Sequence, residues 1–265
     1  MAKIGIIGMG NMGYAILKGL LKVYGPQELL FTDVNETQCR RVTEETHVPA
    51  APDNASCARQ ASYIVLAVKP RYYASVLEDI KDAAGESDII ISIAPGITTG
   101  YLKEMLEGRG RIVRAMPNTP ALLGEGMTGV CMESEAFTEE ERREIEVFFQ
   151  SFGRMQVVEE QLMDAVVCVS GSSPAYVYMM IEALADSAVK YGLPRQAAYR
   201  MAAQTVAGSA RMVLETGEHP GTLKDKVCSP GGTTIAAVEA LEEWGFRNAI
   251  MKASDACYSV CVRNQ

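Results

Sequence analysis

Histidine is almost missing from this chain: two residues, His47 and His219, in 265. That scarcity excludes a histidine-built metal site and a hydrolase triad resting on an imidazole. The seven cysteines are odd in number and contain no Cys-x-x-Cys pair. Cys257 and Cys261 stand four apart with no histidine near them in the chain, so reduced, mostly buried thiols are expected and no metal is. No Lys/Arg block is longer than a pair and the net charge is −8. That balance argues against nucleic acid or an anionic membrane as the main partner. No apolar run approaches the roughly 18 residues that a membrane-spanning helix needs. The chain enters a strand-like run within its first few residues, leaving no signal peptide ahead of the fold, so a cytoplasmic location is expected.

What is present is an ordinary globular mixture, 48% hydrophobic and 22% charged, long enough to bury one large core or two modest ones. The first half alternates strand-like and helix-like segments. Continuous Ile/Val/Leu runs at 3–7, 29–32, 63–68, 89–93 and 111–116 suit parallel strands covered on both faces. Helical patterns at 12–23, 72–84 and 98–106 lie between them, the rhythm of a doubly wound α/β sheet. A helix over 139–152, stopped by Gly153, and a short strand near 155–158 close this half. From residue 161 strand signals vanish and alanine, methionine and leucine dominate. Helices are expected from Ser173-Pro174 to Gly192, from Pro194 to about Thr216, over 233–244 and over 246–262. Helices apolar on more than one face bury two faces, which a tail of about a hundred residues achieves most easily against a second copy of itself. The expectation is a two-domain chain, 1–160 binding a dinucleotide and 161–265 all-helical and dimerising.

Two anion sites are legible, one near each end. Ile7-Gly8-Met9-Gly10-Asn11-Met12-Gly13 follows the first strand and opens a helix. In this G-x-G-x-x-G pattern Gly8 makes the tight turn, Gly10 lets a pyrophosphate approach the backbone, and Gly13 allows close helix–strand packing. Asp33 lies twenty residues after Gly13, at the end of the second strand. Its carboxylate suits a ribose 2′-hydroxyl and repels a 2′-phosphate, so NADH is favoured over NADPH; Arg40 and Arg41 fall on the following helix. Near the other end, Ser229-Pro230-Gly231-Gly232-Thr233-Thr234 breaks one segment and opens another helix. Glycine-freed N–H groups, threonine hydroxyls and a helix N-terminus would hold a small carboxylate. Taken alone, the segment reads more readily as a turn followed by an ordinary cap.

A dinucleotide fold without a catalytic histidine or cysteine suits a reaction needing little acid–base help. Hydride transfer to an iminium C=N bond, which needs mainly positioning, is such a reaction. Four stretches in order, Ala67-Val68-Lys69-Pro70, Arg114 to Pro120, Val169 to Tyr176 and Ser229 to Thr234, together closely resemble pyrroline-5-carboxylate reductases over essentially the whole chain.

That resemblance implies a Rossmann domain followed by an all-helical dimerisation domain, with interlocked dimers that commonly assemble further into decamers of five dimers. The implied activity is NADPH- or NADH-dependent reduction of L-1-pyrroline-5-carboxylate to L-proline. Carried over, Thr234 would hydrogen-bond the ring nitrogen and assist its protonation, while amides around Gly232 and Thr233 hold the carboxylate. Ser229 and Gly231 complete that loop, and Glu160 matches a position near the substrate. Ala67, Val68, Lys69 and Pro70 would lie beside the cofactor, with Asn35 and Asn54 near its ribose and Ala94 on the segment after the fourth strand. Pro95 departs from the family's usual Ala-Ala-Gly there and removes a backbone donor. Arg114 and Asn118 are equally placed to tie down their own loop, and Asp164 is placed to cap or pair at the start of the helical part. Cys228, Tyr176 and Tyr178 are expected to pack rather than to react.

A β-hydroxyacid dehydrogenase, which shares the glycine-rich start, is the main alternative. Such an enzyme needs a helix lysine with an asparagine one turn later. Lys190 is followed by Tyr191-Gly192-Leu193-Pro194 instead. A cofactor-binding redox sensor would not need the complete carboxylate loop. Reduction of a related cyclic imino acid, such as a six-membered ring, differs by one methylene and about 1–3 kcal/mol.

Overall fold

The computed structural model describes residues 2–263. Seven strands form one sheet: β1 (Ala2–Ile7), β2 (Leu29–Thr32), β3 (Ala61–Leu66), β4 (Ile89–Ser92), β5 (Arg111–Met116), β6 (Gly126–Met132) and β7 (Gly153–Val157). Their order is β2-β1-β3-β4-β5-β6-β7. Every pair is parallel except β5 with β6. A further parallel bridge, Phe31 to Ala50, stands on the outer edge of β2. With it the order matches a dinucleotide-binding sheet whose third strand has shrunk to one bridge, and the switch point falls between β1 and β3.

The helices are α1 (Asn11–Leu20), α2 (Glu36–Thr46), α3 (Asn54–Arg59), α4 (Tyr73–Ile80), α5 (Thr99–Met105), α6 (Glu139–Gln150), α7 (Met163–Val166), α8 (Ser173–Lys190), α9 (Arg195–Thr216), α10 (Pro220–Val227), α11 (Thr233–Glu243) and α12 (Phe246–Arg263). The α/β class with an all-helical C-terminal region is as expected. Five elements were not, the one-turn α7 among them. Strand β6 carries two glycines, which weaken a strand signal, yet a Cβ on Gly129 would meet Val166 at 2.5 Å. Packing, not propensity, chose that residue. Helix α2 is polar and is held by its ends: Asn35 accepts the Thr37 and Gln38 N–H groups, and His47 closes it at φ 59°. Asp53 caps the short α3 in the same way. Helix α10 was hidden by the Pro220-Gly221 pair, but proline is well tolerated at a helix start.

Both faces of the sheet are covered, which explains its continuous apolar strands. On one face Ile4, Ile6, Phe31 and Val65 pack with α1 and α6. There Phe148, Phe149 and Phe152 meet edge to face with centroids 4.9–6.0 Å apart. On the other face Ile7, Ile64, Leu66 and Ile90 pack with residues of α3, α4 and α5. Each such buried side chain contributes about 1.5–3 kcal/mol.

Of the described residues, 2–172 and 257–263 form one compact unit and 173–256 another. Within the second, only Ala185, Ala198 and Ala202 are buried, while Tyr178, Met179, Leu184, Met201, Met212 and Leu214 are exposed. Alanines at the crossing of α8 and α9 let the two helices approach closely, but a chain by itself leaves the large apolar side chains in water. Such a surface points to self-association. Among the described residues no helix is long and apolar enough to cross a membrane.

Candidate active site

The glycine-rich turn has the geometry its spacing implies. Gly8 takes φ +99°, and a Cβ on it would meet the Ala67 carbonyl oxygen at 2.9 Å. Its N–H donates to the Thr32 carbonyl at 2.9 Å, and Ala67 N–H donates to the Ile7 carbonyl at 2.8 Å. The ends of β1, β2 and β3 are thereby clamped together beside Val68 and Lys69. A Cβ on Gly13 would lie 2.0 Å from the Gly8 oxygen, so α1 packs against the turn as closely as backbone allows. Around Gly10, by contrast, a Cβ would meet nothing within 4 Å. Gly10 is the N-cap of α1 and no side chain caps the helix. The first-turn N–H groups at Asn11 and Met12 therefore face an open cleft, and a dinucleotide pyrophosphate fits it.

Asp33 sits at the mouth of this cleft. Its Oδ2 accepts the Met9 N–H at 2.6 Å and its Oδ1 the Asn35 N–H at 2.9 Å. Asn35 shares the cleft, with its side-chain oxygen given to the α2 cap. Asn54 lines the adjoining clefts with Asp33 and donates from Nδ2 to Asp79 at 2.9 Å. Farther along the sheet, the Tyr73 hydroxyl donates to the Leu66 carbonyl at 2.8 Å and lies 3.0 Å from Ser92 Oγ. That contact joins the ends of β3 and β4 beneath the buried Ala94. Pro70, Pro95, Gly96, Ile97 and Val167 line an apolar cavity of ≈ 570 Å³ at these strand ends.

Glu160 is tied to this edge. Its Oε1 accepts the Thr99 N–H at 2.7 Å and an N–H from Arg114 Nη1 at 3.1 Å, and Oε2 accepts the Thr99 hydroxyl. These donors hold its carboxyl below the ordinary range despite partial burial, which acts against them. Both oxygens expected to face a substrate are thus engaged by Thr99 and Arg114. Arg114 itself is 2% exposed. Asn118 accepts the Met127 N–H at 2.9 Å and donates to the Ser170 carbonyl at 3.0 Å. It fastens its loop to a π-helical turn, Val167–Gly171, closed by Ser172 N–H to the Val167 carbonyl at 2.8 Å. Such wide turns are common at functional sites.

The 229–234 segment lies in the helical unit. Gly231 takes φ +67°, and Gly232 N–H donates to the Ser229 carbonyl at 3.0 Å. A Cβ on Gly232 would strike Ser229 Oγ at 2.5 Å. Gly232 is the N-cap of the eleven-residue α11, again with no side-chain cap. Ser229, Gly231, Gly232, Thr233 and Thr234 are therefore gathered in one turn at the start of α11, whose first-turn N–H groups receive no side-chain cap. Glu160 belongs to the other compact unit.

All seven cysteines are free thiols. Burial pushes Cys57 and Cys168 up to about 12, so neither supplies a thiolate at neutral pH. The residues that reasoning from sequence missed are Asp79 and Thr99; each acts through a partner distant in the chain, and no local pattern marks it.

Comparison with known proteins places these features in a family. Residues 160–263 match a family model described as pyrroline-5-carboxylate reductase dimerisation, and residues 3–96 match one described as NADP oxidoreductase, coenzyme F420-dependent. The chain is 47% identical over 258 residues to the pyrroline-5-carboxylate reductase of Escherichia coli (strain K12), covering 96% of this chain and 95% of the relative. It is 42% identical over 254 residues to that of Methanosarcina acetivorans, covering 95% and 93%. Among solved structures, a pyrroline-5-carboxylate reductase from Coxiella burnetii superposes with TM-score 0.92 at 34% identity, covering 100% of this chain and 98% of that one. The Plasmodium falciparum pyrroline carboxylate reductase with NADP bound gives 0.88 at 33%, covering 99% and 98%. A 3-hydroxyisobutyrate dehydrogenase from Salmonella typhimurium, at 16% identity and TM-score 0.54, shares the fold alone.

Proposed function

The chain belongs to the pyrroline-5-carboxylate reductase family, and we propose that it reduces L-1-pyrroline-5-carboxylate to L-proline in proline biosynthesis. The observation that carries the proposal is the pair of uncapped helix N-termini, one at Gly10 and one at Gly232, each at the place in the chain where this chemistry needs an anion held. The first suits a pyrophosphate. The second suits a carboxylate.

A bound NAD(P)H supplies the hydride. Ile7, Gly8, Met9, Gly10, Asn11, Met12 and Gly13 would hold its pyrophosphate, and Asp33, Asn35 and Asn54 its ribose end. Ala67, Val68, Lys69, Pro70 and Ala94 form the strand ends along which it lies. The amides of Gly232 and Thr233 hold the substrate carboxylate, with Ser229 and Gly231 shaping the turn. The Thr234 hydroxyl hydrogen-bonds the ring nitrogen and helps keep the C=N bond protonated, which makes its carbon the electrophile. Glu160, fixed between Thr99 and Arg114, positions the start of α5. In this division of labour 1–160 binds cofactor and 161–265 dimerises and binds substrate. The working unit is a cytoplasmic homodimer, from which a decamer of five dimers is built.

The test is oxidation of reduced cofactor in the presence of pyrroline-5-carboxylate, for wild type and Thr234→Ala. Loss of a hydrogen bond to a charged ring nitrogen is expected to lower kcat/KM by about 10–100-fold. The cofactor Kd stays unchanged. An unaffected variant removes Thr234 from this role.

A further inference from the structure

We propose that this chain selects NADH over NADPH, and that the selection is made by Asp33 inside an acidic rim formed with Asp53 and Asp79. The proposal rests on the cofactor-binding reading above and deepens it. Asp33 is the one residue common to three adjoining clefts at the ends of β1 and β2. Its two backbone hydrogen bonds, from Met9 and Asn35, hold the carboxylate against the glycine-rich turn. A carboxylate has about four lone-pair sites, so after those two bonds each oxygen can still accept from a ribose hydroxyl. A 2′-hydroxyl donates to it. A 2′-phosphate brings about two negative charges and no donor.

The surroundings add to that repulsion. Asp53 and Asp79 line the cleft next to Asp33, with Asn54 bridging to Asp79. The same clefts contain a single cation, Arg41. Its guanidinium lies 5.3 Å from the Tyr14 ring centroid and 3.7 Å from Glu45. Arg40 is 3.7 Å from Glu36, and Arg71 is stacked on Tyr72 at 4.7 Å while donating to its hydroxyl. Among the described residues, the lining of these clefts thus sets three carboxylates, Asp33, Asp53 and Asp79, against the one guanidinium of Arg41. A 2′-phosphate would meet net negative charge there, from the half-buried Asp33 and, screened by solvent, from the exposed Asp53 and Asp79.

The experiment measures binding apart from turnover. The purified full chain is titrated with NADH and with NADPH by calorimetry, for wild type, Asp33→Ser, Asp33→Asn and Arg41→Ala. Wild type is expected to bind NADH about 30-fold or more tighter than NADPH. Both Asp33 variants lose NADH affinity and gain NADPH affinity, moving the ratio by about 100-fold, with Asp33→Asn retaining an acceptor for the Met9 amide. Arg41→Ala leaves both affinities within about threefold, as expected for a guanidinium not used by the cofactor. NADPH bound as tightly as NADH by wild type overturns the proposal. So does an unchanged ratio in a folded Asp33 variant, or a loss of NADPH binding beyond tenfold in Arg41→Ala. Selective NADH binding with no turnover of pyrroline-5-carboxylate would count against the activity reading and leave this one standing.

Discussion

Replacing Gly10 with alanine should separate cofactor binding from folding, and the same change at Gly13 should not. Gly10 has φ −71° and ψ −169°, a conformation alanine adopts freely, and its added Cβ meets nothing within 4 Å. Two small terms oppose each other. Alanine is a poorer N-cap than glycine, and it reduces unfolded-chain entropy, each by about 0.5–1 kcal/mol. The melting temperature should therefore stay within about 2 °C of wild type. The methyl group, however, stands where a pyrophosphate must approach the first-turn amides. Losing two charge-assisted hydrogen bonds at about 2 kcal/mol each corresponds to an affinity loss of about 10³-fold. At Gly13 the Cβ would lie 2.0 Å from the Gly8 carbonyl oxygen. That overlap exceeds 1 Å against an ordinary contact and is made with backbone that cannot rotate away. Overpacking of this kind costs about 3 kcal/mol, or roughly 6–12 °C in Tm for a unit of this size. Thermal unfolding and a fluorescence titration with NADH read both quantities. A Gly10→Ala protein that binds NADH within threefold of wild type would refute the argument, as would one that melts as early as Gly13→Ala.

Three further outcomes are expected. Glu160→Ala strands the 2%-exposed Arg114 guanidinium without a partner and should cost about 3 kcal/mol in urea unfolding. Arg114→Leu leaves Glu160 with both Thr99 bonds and should cost about 1 kcal/mol; the reverse ranking would contradict the assignment of burial as the cause. Glu141 is held down to about 2 by the Arg111 guanidinium and by the Thr138 N–H. A depressed carboxyl contributes stability above its unfolded value near 4.5, and that contribution is lost as pH falls toward 2. The pair is solvent-accessible, so Glu141→Gln should lower stability by only about 1 kcal/mol at pH 6, with the gap narrowing by pH 3; a gap independent of pH would exclude the ion pair. Finally, light scattering at micromolar concentration should show a dimer or larger, because α8 and α9 expose Tyr178, Met179, Met201 and Leu214; a monomer would refute it.

The parts of the site that were legible beforehand share a physical property: they are short-range. Gly8, Gly10 and Gly13 act within six residues, and Ser229 to Thr234 within a single turn. In both places a helix start follows a chain break, and local dihedral preference is enough to create it. The alternation of apolar runs with helical patterns likewise announced the doubly wound sheet, since burial on both faces demands such runs. Strand β6 was not legible. Its glycines look like loop residues until Val166 is found 2.5 Å from where a side chain on Gly129 would begin.

Composition and spacing alone thus determined an α/β chain with a glycine-rich turn after its first strand, a glycine-threonine helix start near its other end and an apolar helical tail in want of a partner. Only tertiary contacts decided the antiparallel turn of β6, the vestigial bridge at Ala50 and the pairing of Glu160 with Arg114 across 46 residues. The same holds for the gathering of Asp33, Asp53 and Asp79 around one cleft. The physical reason is the range of the forces involved. Backbone preference and helix-end hydrogen bonding act between neighbours and leave a trace in the sequence. Charge pairing and close packing act between residues brought together by the sheet order, which no local pattern encodes.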